Sequence, residues 1–563
     1  MVQASVRVER GELVVGRVEL AEESYVGSYA VLEGDTAIAA YGRLEGLSAL
    51  SRGNRIGAEE IWDGSPARLQ RKLTPGERPQ RPSASGLRRL GERFFFMLGA
   101  ALTALLFFLP LFPAFMLIDS LEGHWLSPSL EGSGYLLATL EYTLLAIPAS
   151  ALLVLCTALI SAAIRWGVLP RLGAGSWPVH SAMYCRKWLA NLIQVASLQV
   201  LHGVYATVYA PWWYRLLGAK VGKCAEISTA MGVVPDMLTL GDDSFIADAV
   251  MLGDEQVDAG WMSLDYTMIG HRSFVGNGAY VPDGTTLPPD VLIGVQSRAP
   301  TTAAMQPGQT WVGSPPMLLP ARETLSGFPE CLTFRPSVWR RLGRGLVEAA
   351  RIILPLALVI GVGYVIVLDS MPYAIQEDWK GLALDLSLSG LYYGAGCFLL
   401  IVALKWLLIG RYKPRAAPMW TPFVWISEAV TSLYEAIAVP NFLEYLRGTP
   451  MLPWALRLFG TKIGSGAWLD TTDITEFDCV SIGAHSELNA WAGPQTHLFE
   501  DRIMKVGRVA IGERVTVGIR STVLYDSRIE DDVLVGPLSL VMKGETLPAH
   551  SAWRGSPAQS WQI

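Results

Sequence analysis

Among the seven histidines of this 563-residue chain, His497 has the most reactive neighbourhood. It lies in the string QTHLFEDRIMKVGRVAIG (495–512), beside Gln495, Thr496, Glu500 and Asp501. An imidazole with an ordinary pKa near 6.5 is the natural general base at neutral pH, and an adjacent carboxylate fixes its tautomer. The sequence therefore assigns His497 as base, with Asp501 or Glu500 as orienter. The competing reading has His497 capping a turn and both acids solvated. A second string, GDEQVDAGWM (253–262), places Glu255 at the equivalent position, with Asp254, Gln256 and Asp258 around it. Six scattered cysteines, without a C-x-x-C or a Cys/His cluster, give no zinc site. GAKVGKC (218–224) is one residue short of a phosphate loop and lacks its Ser/Thr. The net charge of −6 argues against a nucleic-acid partner.

These residues must be held by something, and a six-residue beat says what. Aliphatic residues recur at Ile511, Val517, Val523, Ile529, Val535, Val541 and Leu547, with small or acidic residues often following them. The same beat runs through Ile269, Val275, Val281, Leu287, Ile293 and Ala299, and through Leu20, Val26, Leu32, Ile38, Leu44 and Leu50. Period six fits neither a lone helix nor an alternating hairpin. It predicts a three-sided coil whose aliphatic residues point inward and stack, a left-handed parallel β-helix. The beat lapses before Ile511, with Lys505 at a would-be inward position, so residues 494–505 are expected to leave the coil as a loop. Three strings, IWDGSPARL (61–69), TWVGSPPML (310–318) and AWRGSPAQS (552–560), mark three copies at constant offsets of 242 and 491 positions.

Between the copies lie apolar segments. At 51% hydrophobic and 17% charged, with mean hydropathy +0.32, the composition leans toward membrane. Segments 94–118, 135–164, 349–368 and 391–410 each meet or approach the roughly 20 residues a helix needs to span a bilayer. Glu141, in the second, is read as reaching the outer interface. Lys and Arg crowd the outer flanks of both pairs, while 119–134 holds none and 369–387 only Lys380. By the positive-inside rule, two hairpins of two spans leave every large segment in the cytoplasm, on the inner membrane. Trp-rich stretches, 177–214 and 420–454, are expected to lie along the lipid interface. The order is an incomplete first β-helix copy (1–73), a linker (74–87), a transmembrane hairpin (88–170), interfacial helices (171–214), the second copy (215–322), a linker (323–344), the second hairpin (345–411), interfacial helices (412–456) and the third copy (457–563). The fold class is thus mixed, three tandem copies alternating with four spans. Residues 1–20 hold no signal peptide.

The hexads resemble those of the hexapeptide-repeat acyltransferases, whose β-helices trimerise and bind acyl thioesters in grooves between neighbours. The layout, with the strings 495–512 and 253–262 and GPLSLVMKGETLPAH (536–550), is similar over essentially the whole chain to the membrane-bound C-terminal region of the ε-poly-lysine synthetase type of nonribosomal peptide synthetase. This resemblance implies amide-bond formation: an amine attacks an aminoacyl thioester on a phosphopantetheine carrier. On that reading His497 takes the amine's proton, Asp478 binds the substrate ammonium, and Gln495 and Thr496 line the site. Glu255 is too weak a base for an amine, so copy two, with Asp254 and with Asp236 at the position of Asp478, binds the substrate's cationic end or merely scaffolds. No cofactor is read from the residues themselves. The partners implied are lipid, an adenylation–carrier unit in cis or trans, and an amino-acid or oligo-amino-acid amine. The three copies are expected to pack as a pseudo-trimer, or the chain to form a homo-oligomer. The sequence departs from the pattern in holding no adenylation or carrier domain, and in placing Val6 at the position of His497, so that earlier coils of copy one are expected to be missing. Either it is part of a longer synthetase or a standalone paralogue shortened at its front. The alternatives are a coenzyme-A-dependent small-acyl transferase and a non-catalytic scaffold or polycation exporter.

Overall fold

The computed structural model describes residues 6–77, 80–122, 130–169, 171–301, 305–320 and 327–562. The aliphatic beat becomes short parallel ladders. Ile511 pairs with Ile529 and Ile529 with Leu547, Val517 with Val535, and Val523 with Val541. Each step is eighteen residues, three hexads, and all seven of these side chains are buried. Copy two repeats the step in Ile269–Leu287 and Val275–Ile293, and copy one in Leu20–Ile38 and Ile38–Ile56. Corners recur every six residues: Arg514, Arg520, Asp526, Asp532, Leu538, Gly544 and His550 all have positive φ. Successive coils touch closely enough that a Cβ on Gly483 would lie 2.3 Å from the Gly512 carbonyl oxygen.

The expected fold class needs correction on two counts. The sheets are mixed rather than uniform left-handed parallel helices. Antiparallel strands close the ladders, as Ala552–Arg554 does with Gln559–Trp561, and three-stranded antiparallel ribbons project from copies two and three. The residues expected to form a loop at 494–505 build one such ribbon, because a strand from outside the copy, Arg415–Pro418, satisfies its free edge. The second count is the number of spans. The first apolar run divides into α1 (Gly86–Phe108) and α2 (Leu111–Leu121), with Pro110 at the junction. Proline cannot donate to the preceding turn and clashes with it. Among the described residues three helices, rather than the four expected, are long and apolar enough to cross a membrane: α3 (Gly134–Val168), α6 (Val338–Ile375) and α7 (Trp379–Leu408). Residues 123–129 of the short loop read as facing outward, and 321–326 at the junction of copy two and the second linker, lie outside the described residues.

Helices α4 (Ala182–Leu201) and α5 (Ala210–Leu217) precede copy two; α8 (Pro422–Leu433) precedes copy three and runs into a π-helical turn, Tyr434–Ala438. Of the tryptophans read as interfacial, Trp212 and Trp454 are exposed, whereas Trp213 and Trp420 are buried.

Two devices tie the parts together. The last turn of α3 sends Arg165 to Asp236, and that of α7 sends Lys405 to Asp478, 2.7 Å. Trp166 and Trp406 cover these cations and donate to Leu216 O (2.9 Å) and Leu458 O (2.8 Å). At the three W-x-G-S-P corners, Ser65 N–H donates to Ser314 O (2.7 Å), Ser314 N–H to Ser556 O (3.0 Å) and Ser556 N–H to Ser65 O (3.3 Å). That ring closes on itself and sets the three copies around one axis.

Candidate active site

The cleft between copies two and three holds His497. It opens the strand His497–Glu500, paired antiparallel with Ile503–Val506, which is itself paired with Arg415–Pro418. The ribbon fixes the strand's backbone along its Ile503–Val506 edge, and His497 is 8% exposed. Nδ1 lies 2.8 Å from Glu476 Oε2. That oxygen also accepts from Thr496 Oγ1 at 2.6 Å and Thr475 Oγ1 at 2.9 Å. Glu476 precedes the helical turn Phe477–Cys479 with φ +35°, a left-handed conformation that costs a residue with a Cβ about 1 kcal/mol or more. It is 1% exposed, and its Oε1 has no hydrogen-bond partner among the described residues.

A small cavity of about 50 Å³ opens beside the ring, lined by Asp248 and Asn277 of copy two, Phe499 of copy three, and Trp425 and Glu428 of α8. Phe245 of copy two stacks on Phe274 and meets Phe499 across the cleft, with centroids 5.2 and 5.6 Å apart. The electrostatics favour cations. Burial disfavours a charged imidazole, but Glu476, Glu428 and Asp248 outweigh it and push His497 up to about 9. Burial likewise opposes ionisation of Glu476, yet the charge and hydrogen bond of His497 hold it below the usual carboxylate range. An ionised Glu476 accepts, so Nδ1–H donates, and Nε2 is the nitrogen left for proton transfer. Glu435, in the π-helical turn, is pushed up to about 8 by burial and then by Asp248, Asp473 and Glu428.

The structure redistributes the roles read from sequence. The carboxylate on the imidazole is Glu476, which sequence reasoning missed; Glu500 instead meets Lys505 (2.6 Å), Lys543 (2.8 Å) and Tyr525 (3.2 Å). Asp501 sits in the ribbon's turn, with φ +49°. Asp478 is held by Lys405 and the Tyr412 N–H (3.0 Å), and Asp236 by Arg165, so both anchor membrane helices rather than face the cavity. Thr496 is brought to Glu476, while Gln495 Nε2 donates to His497 O at 3.0 Å.

Copy two is closed at the corresponding place. Glu255 meets Lys187 and Asn191, each at 2.9 Å. Lys187 lies six residues beyond the α4 N-cap Ser181; six beyond the α8 N-cap Thr421 stands Ser427, which pairs with Tyr412 instead. Asp254 accepts from Ser28 of copy one and is raised by burial, and Asp258 pairs with Arg43 at 2.6 Å. A signal for Glu476 was present in the repeat offset of 242. Glu476 falls on Val234 and Asp473 on Met231, acids in one copy where the other is apolar.

No family model matches the chain. It is 54% identical over 561 residues to delta-poly-L-ornithine synthetase of Acinetobacter baumannii (strain AB307-0294). The alignment covers 99% of this chain and 42% of that protein, so the chain spans less than half the length of this relative.

Proposed function

We propose that this chain carries an amide-bond-forming centre of a membrane poly-amino-acid synthetase, with His497 as general base and Glu476 as its orienting carboxylate. The observation that supports it most is the buried His497–Glu476 pair at the wall of an acidic cleft. The similarity to a poly-ornithine synthetase supports the same class. The reaction is aminolysis of an aminoacyl thioester. The amine nitrogen attacks the carbonyl carbon, its proton passes to His497 Nε2, the C–S bond breaks, and the leaving thiolate takes up the proton. Glu476 holds the ring with Nε2 facing the reactants and stabilises the imidazolium. Nε2 accepts only from a neutral ring. An ammonium group entering beside Glu428 and Asp248 compensates the carboxylates that raise His497 and brings the ring toward neutrality.

The thioester is delivered by a phosphopantetheine carrier, in cis or trans, and the copies lie on the cytoplasmic face of the inner membrane, the side flanked by Arg88, Arg165, Arg340 and Arg411. To test this, membranes containing the protein receive an aminoacyl pantetheine thioester and a diamino acid, and amide product is counted by mass spectrometry. His497→Ala is expected to lose at least a hundredfold while still inserting; full product formation by that variant overturns the assignment. Turnover with acyl coenzyme A equal to that with the pantetheine thioester would move the donor to the coenzyme A class.

A further inference from the structure

Away from His497, copies one and three enclose a second and larger cavity of about 230 Å³. Copy one supplies part of the strand Val6–Glu9 and the corner at Ser65 and Pro66; copy three supplies Asn489 and, from its closing hairpin, Arg554 and Trp561. The walls are fixed in place. Asn489, 1% exposed, grips the strand at Val8, whose N–H donates to its Oδ1 (2.8 Å) and whose carbonyl accepts from its Nδ2 (2.9 Å). At the corner, Ser65 Oγ donates to Leu538 O at 2.9 Å. An apolar cavity of about 150 Å³ already holds a benzene ring, so this preformed space admits a ring or a short chain.

Its polar groups are unevenly matched. Arg7 is shared by Glu9 and Glu33, and Glu33 also accepts from the Arg52 N–H at 2.9 Å. The Arg52 guanidinium meets Asp35 at 3.1 Å. The carboxylates on the wall are thereby engaged. Arg554 is not: its guanidinium lies 4.4 Å over the Trp561 ring and meets no acceptor among the described residues. Trp561 Nε1 is likewise a buried donor without an acceptor among the described residues. Guanidinium and indole N–H groups can only donate, and a donor left without an acceptor is costly. Both call for a ligand that brings oxygens, and a guanidinium matches carboxylate or phosphate best.

The repeat shows that this pair belongs to one cleft alone. The corner residue matching Arg554 is Asp63 in copy one, which meets Arg298 at 2.9 Å, and the buried Val312 in copy two. Trp561 matches Gln70 and Leu319. Beside the pair the lining is aliphatic, with Val31, Leu32, Ile519, Leu534 and Val535.

We propose that this cavity binds a small amphipathic anion, a carboxylate or phosphate on an apolar body. Arg554 and the Trp561 N–H take its oxygens, and the aliphatic wall takes its body. Because both copies line the cavity, an occupant also braces the interface between copies one and three. The site is separate from the His497 centre and does not depend on the reading given to that centre.

The test uses the whole protein in phosphatidylcholine nanodiscs at neutral pH, titrated calorimetrically with 3-phenylpropionate, phenyl phosphate and the cation 3-phenylpropylamine. A charge-assisted hydrogen bond contributes about tenfold or more in affinity, so wild type is expected to bind at least one anion about tenfold tighter than the amine. The tighter anion identifies the head group. R554Q is expected to erase that preference, and W561F, which keeps a ring under the guanidinium, to weaken the anion about threefold. The bound anion is expected to raise the melting temperature of wild type and not of R554Q. R514Q, which removes an exposed guanidinium of copy three, is expected to leave the preference unchanged. His497→Ala is expected to lose amide formation and keep it, so the two sites are read separately. Absence of anion binding, equal binding of anion and amine by wild type, a preference retained in R554Q, or its equal loss in R514Q overturns the proposal.

Discussion

Glu476→Gln is the change that probes the site most finely, because it keeps shape and removes charge. Glu476 Oε2 accepts from three donors, His497 Nδ1 at 2.8 Å among them, and the residue is 1% exposed. His497 moves from its ordinary value of 6.5 to about 9, so the net coupling to its surroundings is about 3 kcal/mol at 1.36 kcal/mol per pH unit. A glutamine removes the largest raising cause and leaves burial opposed only by Glu428 and Asp248, so the imidazole falls toward its ordinary value. The kinetic consequences are two. The apparent pKa of single-turnover amide formation drops by about two units, and the plateau above it drops by about 10²-fold, roughly tenfold from weaker basicity and the rest from the unfixed tautomer. The acceptor amine's own ionisation enters both profiles equally. Near neutral pH the two effects partly cancel, so the rate must be followed from pH 6 to 10, with uncatalysed hydrolysis subtracted. Stability changes with pH in a defined sense. A raised imidazole pKa stabilises the fold fully below about 6.5 and loses that contribution as pH climbs through about 9. The lowered carboxyl of Glu476 contributes above about 4.5. The gap in thermal stability between wild type and variant is therefore widest near pH 5 to 6.5 and closes by pH 10. An unchanged plateau together with an unchanged apparent pKa refutes the assignment of Glu476 as orienter.

Other changes separate chemistry from scaffolding. Glu428→Gln removes one of the carboxylates that raise His497, so the apparent pKa of the rate is expected to fall by about one unit, read from the same pH series. Glu255→Gln leaves Lys187, 2% exposed, without its carboxylate, and is expected to cost about 3 kcal/mol in thermal melts while the rate per folded molecule stays within twofold. Asp478→Asn strands the fully buried Lys405 in the same way, with a similar loss of stability and no shift in the pH–rate profile. Ser314→Ala removes the hydroxyl that donates to Leu47 O at 2.7 Å across the ring of corners, and is expected to lower stability by about 1–2 kcal/mol.

How much of this was legible in the sequence depends on which interactions are local. The aliphatic beat was readable because an inward side chain every six residues is a property of neighbouring positions, and it leads directly to the eighteen-residue ladder steps. The class inferred from that beat was too uniform, since antiparallel ribbons depend on partners far along the chain, such as Arg415–Pro418 for Ile503–Val506. Counting spans by apolar length overlooked what Pro110 does to a helix already burdened with Arg88, Arg89 and Arg93 at its start. His497 could be singled out from its neighbours, but its partner could not. Glu500 and Asp501 are nearest in sequence, yet a strand alternates its faces and turns back after four residues, so Glu500 is carried to Lys505 and Lys543. Glu476 reaches the imidazole from the preceding coil, 21 positions earlier. Asp478 resembled a substrate ligand because nothing in the sequence shows that α7 ends with Lys405 beside it. Asp248 comes from copy two, whereas Glu428 and Glu435 lie on the continuous helix before copy three, and they meet only once the copies close around their common axis.

The central claim is that the His497 imidazole itself accepts the proton of the attacking amine. Chemical rescue tests it most directly. In His497→Gly, amide formation from an aminoacyl pantetheine thioester should fall to the uncatalysed rate, and added imidazole should restore it in a saturable way with a pH dependence set by free imidazole. A glycine variant that forms amide at the wild-type rate without imidazole contradicts the claim.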